Sequence, residues 1–122
     1  MIDVFIASAR SRIGTPFVHR GRTEHGLDCL GLVLHCAAAC GMRWPDRRYR
    51  ATPVGEGLAE ELADLFGPAL PSEAMQPGDL LLIQWPRQPE PMHIAICSGD
   101  TMIHAHSGHG VCEHSISPAW HR

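Results

Sequence analysis

The segment that most limits the possible folds of this chain runs from Cys29 to Cys40, because it is apolar on nearly every side. Asp28 can cap this segment as a helix, and Gly41 can end it. A helix without a polar face must be surrounded by the rest of the protein, so we expect it at the centre of the core. The 122 residues suffice for one such core, and we predict a single domain over residues 1–122.

Two more helices are predicted from hydrophobic spacing. The first covers residues 4–13, with Asp3 as its cap, and the second is an amphipathic surface helix over Glu56–Phe66. The apolar stripe of the first helix is predicted to consist of Val4, Ile6, Ala7, Ala9 and Ile13. Between the first and the central helix, the segment Phe17–Leu27 is predicted to be a loop, because it is too polar for a core strand.

The second half of the chain has the pattern of an antiparallel sheet. There are four short apolar runs: the first follows Pro77-Gly78-Asp79, and the last three are separated by Ser98–Asp100 and Ser107–Gly110, which have the composition of hairpin turns. The predicted strands are Leu80–Ile83, His93–Cys97, Thr101–His106 and Val111–His114. Helices followed by hairpin-connected strands indicate an α+β fold, with the N-terminal helices packed on a C-terminal antiparallel sheet, rather than alternating α/β.

Charge and composition exclude several functional classes. Ten basic and thirteen acidic side chains give a formal net charge of -3, so no polycationic surface for nucleic acid is predicted. No apolar run approaches the roughly 20 residues that span a bilayer, so membrane insertion is not expected. Asp3 stands where a signal peptide carries positive charge. We therefore expect no export signal, synthesis in the cytoplasm, and five reduced cysteines.

Among the five cysteines, only Cys29 begins the predicted central helix. A thiol at a helix N-terminus lies near unpaired N–H groups and the positive end of the helix dipole, which favour the nucleophilic thiolate and can stabilise an oxyanion. The competing interpretation is a small buried side chain, since free cysteines are often buried. That interpretation is preferred for the others, Cys36, Cys40, Cys97 and Cys112.

Histidines on neighbouring predicted strands supply a candidate base. His93 begins one strand and His104 lies in the next, so antiparallel pairing can place both imidazoles on one face. One can then take the proton of Cys29 while the other orients it, as a cysteine hydrolase requires. His106 shares the face of His104 and competes for the orienting role. The remaining two histidines of this region, His109 and His114, are predicted to be turn and surface residues.

Zinc binding is an alternative for the same side chains. Cys29, His93, His104 and His106 include the ligand types that zinc prefers. Only His104 and His106 are close enough in sequence to anchor such a site. We therefore predict a hydrolase that contains no metal and no other cofactor.

Six segments match a known family in order and spacing. They are Ile13–Phe17, Gly26–Val33, Pro77–Leu80, His93–Ile96, Met102–Ala105 and Gly110–Val111. Together they resemble the NlpC family of bacterial cell-wall cysteine peptidases, and the resemblance covers nearly the whole chain. It implies a minimal papain-like domain without a cofactor. The implied substrate is the stem peptide of peptidoglycan, cut between D-glutamate and the diamino acid.

The resemblance also implies roles for individual residues. By position, Cys29 resembles the nucleophile, His93 the base and His104 the polar residue that orients the base. Asp28 resembles the acid that shapes the loop beside the nucleophile. It is assigned to the substrate-binding side of the site with two other residues, Phe17 and His106.

Two departures from the usual family pattern affect the expected function. Phe17 stands where the family usually has tyrosine, so a hydroxyl near the substrate is missing. The sequence Asp28-Cys29-Leu30-Gly31-Leu32 resembles the branch encoded by phages and prophages, which implies tail proteins as partners and action at the wall within a phage-like particle. The alternatives are a wall-binding or tail-assembly module with little catalysis, and a related amidase or acyltransferase.

Overall fold

The structure is a computed structural model that describes residues 1–44, 62–63, 67–68, 70–84, 87 and 93–116. Within these residues there are two α-helices, a two-stranded hairpin, a short 3-10 helix and a four-stranded sheet. In chain order the elements are α1 (Ile2–Arg10), β1 (Arg22–Thr23), β2 (Gly26–Leu27), α2 (Cys29–Ala39), the 3-10 helix (Ser72–Ala74), β3 (Leu80–Ile83), β4 (His93–Cys97), β5 (Thr101–His106) and β6 (Gly110–Ser115).

The central helix α2 forms where the sequence predicts it. The side chain of Asp28 accepts a hydrogen bond from the main-chain N–H of Gly31, which satisfies one of the unpaired donors at the helix start. Beyond the end of the helix, Gly41 adopts a φ of 75°, a left-handed conformation that glycine tolerates well. Most of the helix is buried, including Leu30, Gly31, Leu32, Val33, Cys36 and Ala37.

Helix α1 differs from the prediction in its start, in its end at Arg10 and in its buried face. It begins at Ile2, so Asp3 lies in its first turn rather than capping it. The residues that it buries are Phe5 and Ala9, which lie one turn apart and pack into the core with α2. Val4 is 48% exposed and Ile13, beyond the end of the helix, is 47% exposed. Ala7 is exposed too, so the predicted stripe was wrong for three residues. The prediction gave more weight to apolar side chains than to their angular position around the helix.

The sheet is an antiparallel meander in the order β3-β4-β5-β6, which confirms the predicted strands and the α+β class. One face packs against the helices through the buried side chains Ile94, Ile96, Ile103, Ala105 and Val111. A second, smaller cluster is formed by Ile83, Ala95 and Met102. The alternation along β4 and β5 therefore buries apolar side chains on both sides of the sheet.

The segment before α2, predicted to be a loop, holds a short hairpin that is separate from the four-stranded sheet. Its strands β1 and β2 pair Arg22 with Leu27 and Thr23 with Gly26. The hairpin lies so close to α2 that a methyl group added to Gly31 would collide with the carbonyl oxygen of Gly21. The Arg22 guanidinium also lies against this start of α2, 3.0 Å from Oδ1 of Asp28.

The predicted helix Glu56–Phe66 falls outside the described residues, except for residues 62 and 63, which are helical. It stays a prediction. In the part of the chain that the structure describes, no helix is long and apolar enough to cross a membrane.

Candidate active site

Cys29 is the first residue of α2 and is half-buried. Burial raises the pKa of its thiol to about 11, while hydrogen bonding to the main chain of Ile94 lowers it and the charge of Asp28 raises it. The main chain at Leu30 and at Cys29 itself also lowers this pKa. The helix terminus therefore acts in the predicted direction, but desolvation outweighs it. At neutral pH the group is a thiol.

The contact with Ile94 places Cys29 at the beginning of β4. Ile94 directly follows His93, which is the first residue of that strand and is 8% exposed. Helix α2 and strand β4 therefore bring the candidate nucleophile and the candidate base to the same end of the sheet. In the part of the chain that the structure describes, the hydrogen bonds that affect the pKa of the Cys29 thiol come from the main chain.

His93 and His104 are joined by a short hydrogen bond. Nε2 of His93 lies 2.7 Å from Nδ1 of His104, and the two rings meet edge to face with an interplanar angle of 71°. Burial, followed by the charges of neighbouring histidines, lowers the pKa of His93 to about 4 and that of His104 to about 3. Both imidazoles are therefore neutral at neutral pH.

His114 extends this pair, which corrects its assignment as a surface residue. Its Nε2 lies 2.8 Å from Nε2 of His104, and its Nδ1 lies 3.1 Å from the carbonyl oxygen of Ser115. The sequence feature that could have identified this contact is the register between β5 and β6. His104 pairs with Cys112 in β5 and β6, so His114, two residues further along β6, is a diagonal neighbour of His104 on the same face.

His106 lies at the outer end of the histidine cluster. Its ring contacts His104 edge to face at a centroid distance of 5.6 Å and His109 at 5.1 Å, and its Nδ1 accepts a hydrogen bond from the N–H of Gly108. The orienting contact to His93 is made by His104. His109 is an exposed turn residue, as predicted.

Asp28 holds the hairpin to the start of α2. Its Oδ1 accepts hydrogen bonds from Gly31 N at 2.8 Å and from the Arg22 guanidinium at 3.0 Å, and its Oδ2 accepts from Arg20 N at 2.8 Å. The residue is 2% exposed. It therefore offers almost no surface to a substrate, and the observed contacts are those of a residue that shapes the loop.

Phe17 lies beside the strand that leads into the nucleophile. It forms a parallel bridge with Leu27, bounded by a hydrogen bond from Leu27 N to Pro16 O and another from Val18 N to Leu27 O. Its side chain is half-buried against the core. Because Leu27 lies two residues before Cys29, Phe17 is close to the start of α2.

The described residues contain one group of side chains whose ligand atoms could share a metal ion. His104, Cys112 and His114 have ligand atoms within 4.8 Å of one another. This group shares only His104 with the zinc set considered from the sequence. Two nitrogens bound to one tetrahedral zinc would lie about 3.3 Å apart. The 2.8 Å separation of His104 and His114 is that of a hydrogen bond, with a proton between the nitrogens.

Comparison with known proteins gives a consistent result. The model of the NlpC/P60 family matches residues 14–122. The solved structure of the NlpC/p60 domain of the peptidoglycan hydrolase SagA is 26% identical, covers 94% of this chain and 89% of its own, and has a TM-score of 0.69. A family protein from Bacillus cereus is 22% identical over 98% of this chain and 37% of its own, with a TM-score of 0.71.

A P60 domain from an antigen of M. avium subspecies paratuberculosis is 19% identical, covers 98% of this chain and 88% of its own, and has a TM-score of 0.67. No functionally curated protein matches the sequence. These structural likenesses confirm the predicted papain-like α+β fold.

Proposed function

The chain belongs to the NlpC/P60 family, whose members are cysteine peptidases and amidases, and from this premise we propose that it cleaves amide bonds in the stem peptides of peptidoglycan. The support for this substrate is the likeness to a peptidoglycan hydrolase domain, together with the order of the motifs along the chain. The proposed nucleophile is Cys29, the base is His93, and His104 orients the base.

One observation carries the proposal. The thiol at the start of α2 is hydrogen-bonded to the main chain of Ile94, next to a buried, neutral His93 that is itself bonded to His104. A nucleophile, a base and a residue that orients the base are the parts that covalent amide hydrolysis needs.

The protonation states decide how the reaction begins. With the pKa of Cys29 raised to about 11 and that of His93 lowered to about 4, the resting pair is a thiol and a neutral imidazole. His93 therefore removes the proton as the sulfur attacks the carbonyl carbon. Main-chain N–H groups in the first turn of α2 hold the oxyanion while the C–S bond forms.

The second half of the reaction returns the proton. His93 protonates the leaving amine as the C–N bond breaks, which leaves a thioester on Cys29. Water, deprotonated by the same imidazole, then attacks the thioester and releases the carboxylate and the thiol. Phe17, beside the strand that enters the nucleophile, and His106, at the outer end of the histidine cluster, are proposed to contact the peptide.

The finer assignments rest on the resemblance of the motifs. The bond between D-glutamate and the diamino acid is proposed because it is the usual substrate of the family. Association with a phage-like tail, and with tail proteins as partners, is proposed from the sequence around Cys29. In this sequence Leu30 and Leu32 are buried in the core, so these leucines also contribute to packing.

A second candidate is a wall-binding module with little catalysis. The observation in its favour is the raised pKa of the Cys29 thiol, since desolvation disfavours the thiolate form. Such a module would bind the same polymer and keep the same fold. It differs from the first candidate in releasing no peptide fragments.

The test is the release of soluble peptides from purified peptidoglycan, followed by mass spectrometry. Release by the wild type should be abolished in Cys29→Ala and His93→Ala, and the fragment masses identify the bond that is cut. Cys40→Ala is the matched control, because this half-buried thiol lies at the opposite end of the same helix. Binding without release by folded wild-type protein on several wall types would favour the second candidate.

A further inference from the structure

The three hydrogen-bonded histidines form a chain that ends on a main-chain carbonyl. We propose that His114, held by the carbonyl oxygen of Ser115, is a positioning residue that determines which nitrogen of His93 carries the proton. The catalytic meaning of this inference rests on the proposed function. The protonation pattern itself can be measured without a substrate.

The carbonyl of Ser115 decides which nitrogen donates and which accepts in each hydrogen bond of the histidine series. A carbonyl oxygen only accepts hydrogen bonds, so Nδ1 of His114, at 3.1 Å, must donate. A neutral imidazole with its proton on Nδ1 has a lone pair on Nε2. In this neutral form His114 presents an acceptor to Nε2 of His104, 2.8 Å away.

His104 transmits this direction to His93. Because its Nε2 donates to His114, a neutral His104 has its lone pair on Nδ1, which accepts from Nε2 of His93 at 2.7 Å. Both rings are neutral at pH 7, since burial holds their pKa values well below 6.5. The proton of His93 then lies on Nε2, and Nδ1 carries the lone pair that a general base needs.

His104 could not choose this direction by itself. A carboxylate or carbonyl oxygen at its position would always accept, and so would always force Nε2 of His93 to donate. A neutral imidazole can accept or donate at either nitrogen, so an orienting histidine leaves the tautomer of its neighbour open. The bond to His114, which is itself bonded to Ser115, fixes which nitrogen of His104 donates and which accepts.

Strand register makes the arrangement reproducible. Met102 pairs with His114 and His104 pairs with Cys112, so the two histidines are neighbours on the same face of β5 and β6. The accepting carbonyl of Ser115 belongs to the next residue of β6. The anchor and the side chain that it holds therefore move as parts of one strand.

The tautomers can be measured by long-range proton–nitrogen NMR correlation on protein labelled with nitrogen-15 in its histidines. We expect wild-type His93 to carry its proton on Nε2 at pH 7, with the signal assigned by its loss in His93→Gln. A proton on Nδ1 would overturn the proposal. The readout needs no turnover, so it stands even if the wild type releases no peptide.

Two substitutions at His114 separate positioning from a purely structural role. In His114→Gln the amide oxygen can accept from His104 and the amide N–H can donate to Ser115, so the tautomer of His93 and the activity should be kept. In His114→Leu neither group is present. We expect a mixture of His93 tautomers and a fall in kcat/KM of about fivefold to tenfold, the factor that one neutral hydrogen bond corresponds to, with KM unchanged.

Thermal unfolding of both variants provides the stability control. A His114→Leu protein that keeps the wild-type tautomer of His93, or a His114→Gln protein that loses activity as fully as His114→Leu, would contradict the proposal. If His114→Leu does not fold, the tautomers of the wild type and of His114→Gln still decide the question.

Discussion

Strands β5 and β6 carry two polar clusters on opposite faces, and these clusters differ in how their hydrogen bonds are directed. On one face, Glu113 accepts a bidentate pair of bonds from Arg10 of α1, at 3.0 and 3.1 Å, and a bond from the Thr101 hydroxyl at 2.6 Å. On the other face, His104 and His114 share a hydrogen bond of 2.8 Å. The residues Glu113 and His114 are adjacent in the sequence.

In the first cluster, the side-chain types alone fix the donor and the acceptor of each hydrogen bond. Arginine only donates and a carboxylate only accepts, so no neighbouring group is needed to set the direction. The ion pair of this cluster is partly exposed, with the side chains of Arg10 and Glu113 51% and 21% accessible, so solvent and salt screen it. It joins α1 to the sheet.

The second cluster has no fixed polarity, because each neutral imidazole can donate or accept at either nitrogen. It is largely withdrawn from water, and burial keeps His93 and His104 neutral. Its direction therefore needs an anchor, and within the described residues the carbonyl of Ser115 is one. A buried series of hydrogen-bonded histidines can keep a proton on one particular nitrogen. The Arg10–Glu113 ion pair, in contrast, only connects α1 to the sheet.

The largest predicted effect separates the two clusters by activity. His93→Ala should lower the rate of peptide release by about 10² to 10⁴-fold, the usual contribution of a general base. Glu113→Gln should leave the rate within about twofold, because its cluster lies on the other face of the strands. The measurement is the initial rate of release at matched folded fraction. Equal losses in both variants would break the comparison.

A second prediction concerns the thiol that the histidine chain serves. Since the pKa of Cys29 is raised to about 11, its alkylation by iodoacetamide should rise about tenfold per pH unit between pH 7 and 10. Mass spectrometry of the peptide that contains Cys29 gives the rate, and Cys29→Ala gives the background. A plateau below pH 7 would instead indicate a preformed thiolate–imidazolium pair.

A third prediction uses acid to separate the clusters by stability. The pKa values of His93 and His104 are lowered from 6.5 to about 4 and about 3. Below pH 6.5 the unfolded chain therefore binds protons that the folded chain does not. The free energy of unfolding should fall as the pH drops from 6.5 towards 4, by at most about 1.4 kcal/mol per pH unit for each histidine.

The carboxylate cluster titrates in a lower range. Hydrogen bonding to Arg10 comes first among the causes that hold the pKa of Glu113 below 4.5. The stability that Glu113 contributes is therefore present above pH 4.5 and is lost as the pH falls through the lowered pKa.

The third prediction is tested by urea unfolding at intervals from pH 7 to 4. The free energy of unfolding should fall less steeply with pH in His104→Gln than in the wild type. An unchanged slope would mean that His104 is protonated in the folded protein.

The smallest predicted effect concerns the exposed ion pair. Arg10→Gln should lower the midpoint of thermal unfolding only slightly, and the difference from the wild type should shrink in 1 M salt, because screening already weakens the pair. Calorimetry at low and high salt measures it. A large difference that does not depend on salt would show that the pair acts as a buried one does.

Much of the fold follows from local patterns. The cap at Asp28 and the unbroken apolar run beyond it predict α2, and the turn residues around the apolar runs predict β3 to β6. The buried face of α1 was mispredicted at Val4, because a short helix with apolar residues on several sides has more than one plausible stripe. The hairpin before α2 was not predicted because its strands are only two residues long, too short to show an alternating pattern.

The site was predictable where position in an element defines the chemistry. Cys29 begins a helix, and His93 and His104 lie in neighbouring strands, so their types and places could be read from the chain. The role of His114 depends on which residue of β6 lies beside His104, and hydropathy does not specify that register. Nor could the sequence predict that both oxygens of Asp28 face donors within the protein.

The sequence by itself determined the kinds of elements, their order, the family and the candidate nucleophile, because helix caps, hydrophobic periods and turn residues act over a few positions. Tertiary structure decided the protonation of the site and the direction of its hydrogen bonds. The protein packed around Cys29 raises the pKa of its thiol. The position of the proton on His93 is set from Ser115 through the rings of His114 and His104. Desolvation and hydrogen bonding depend on atoms brought close by folding, and these atoms are distant along the chain.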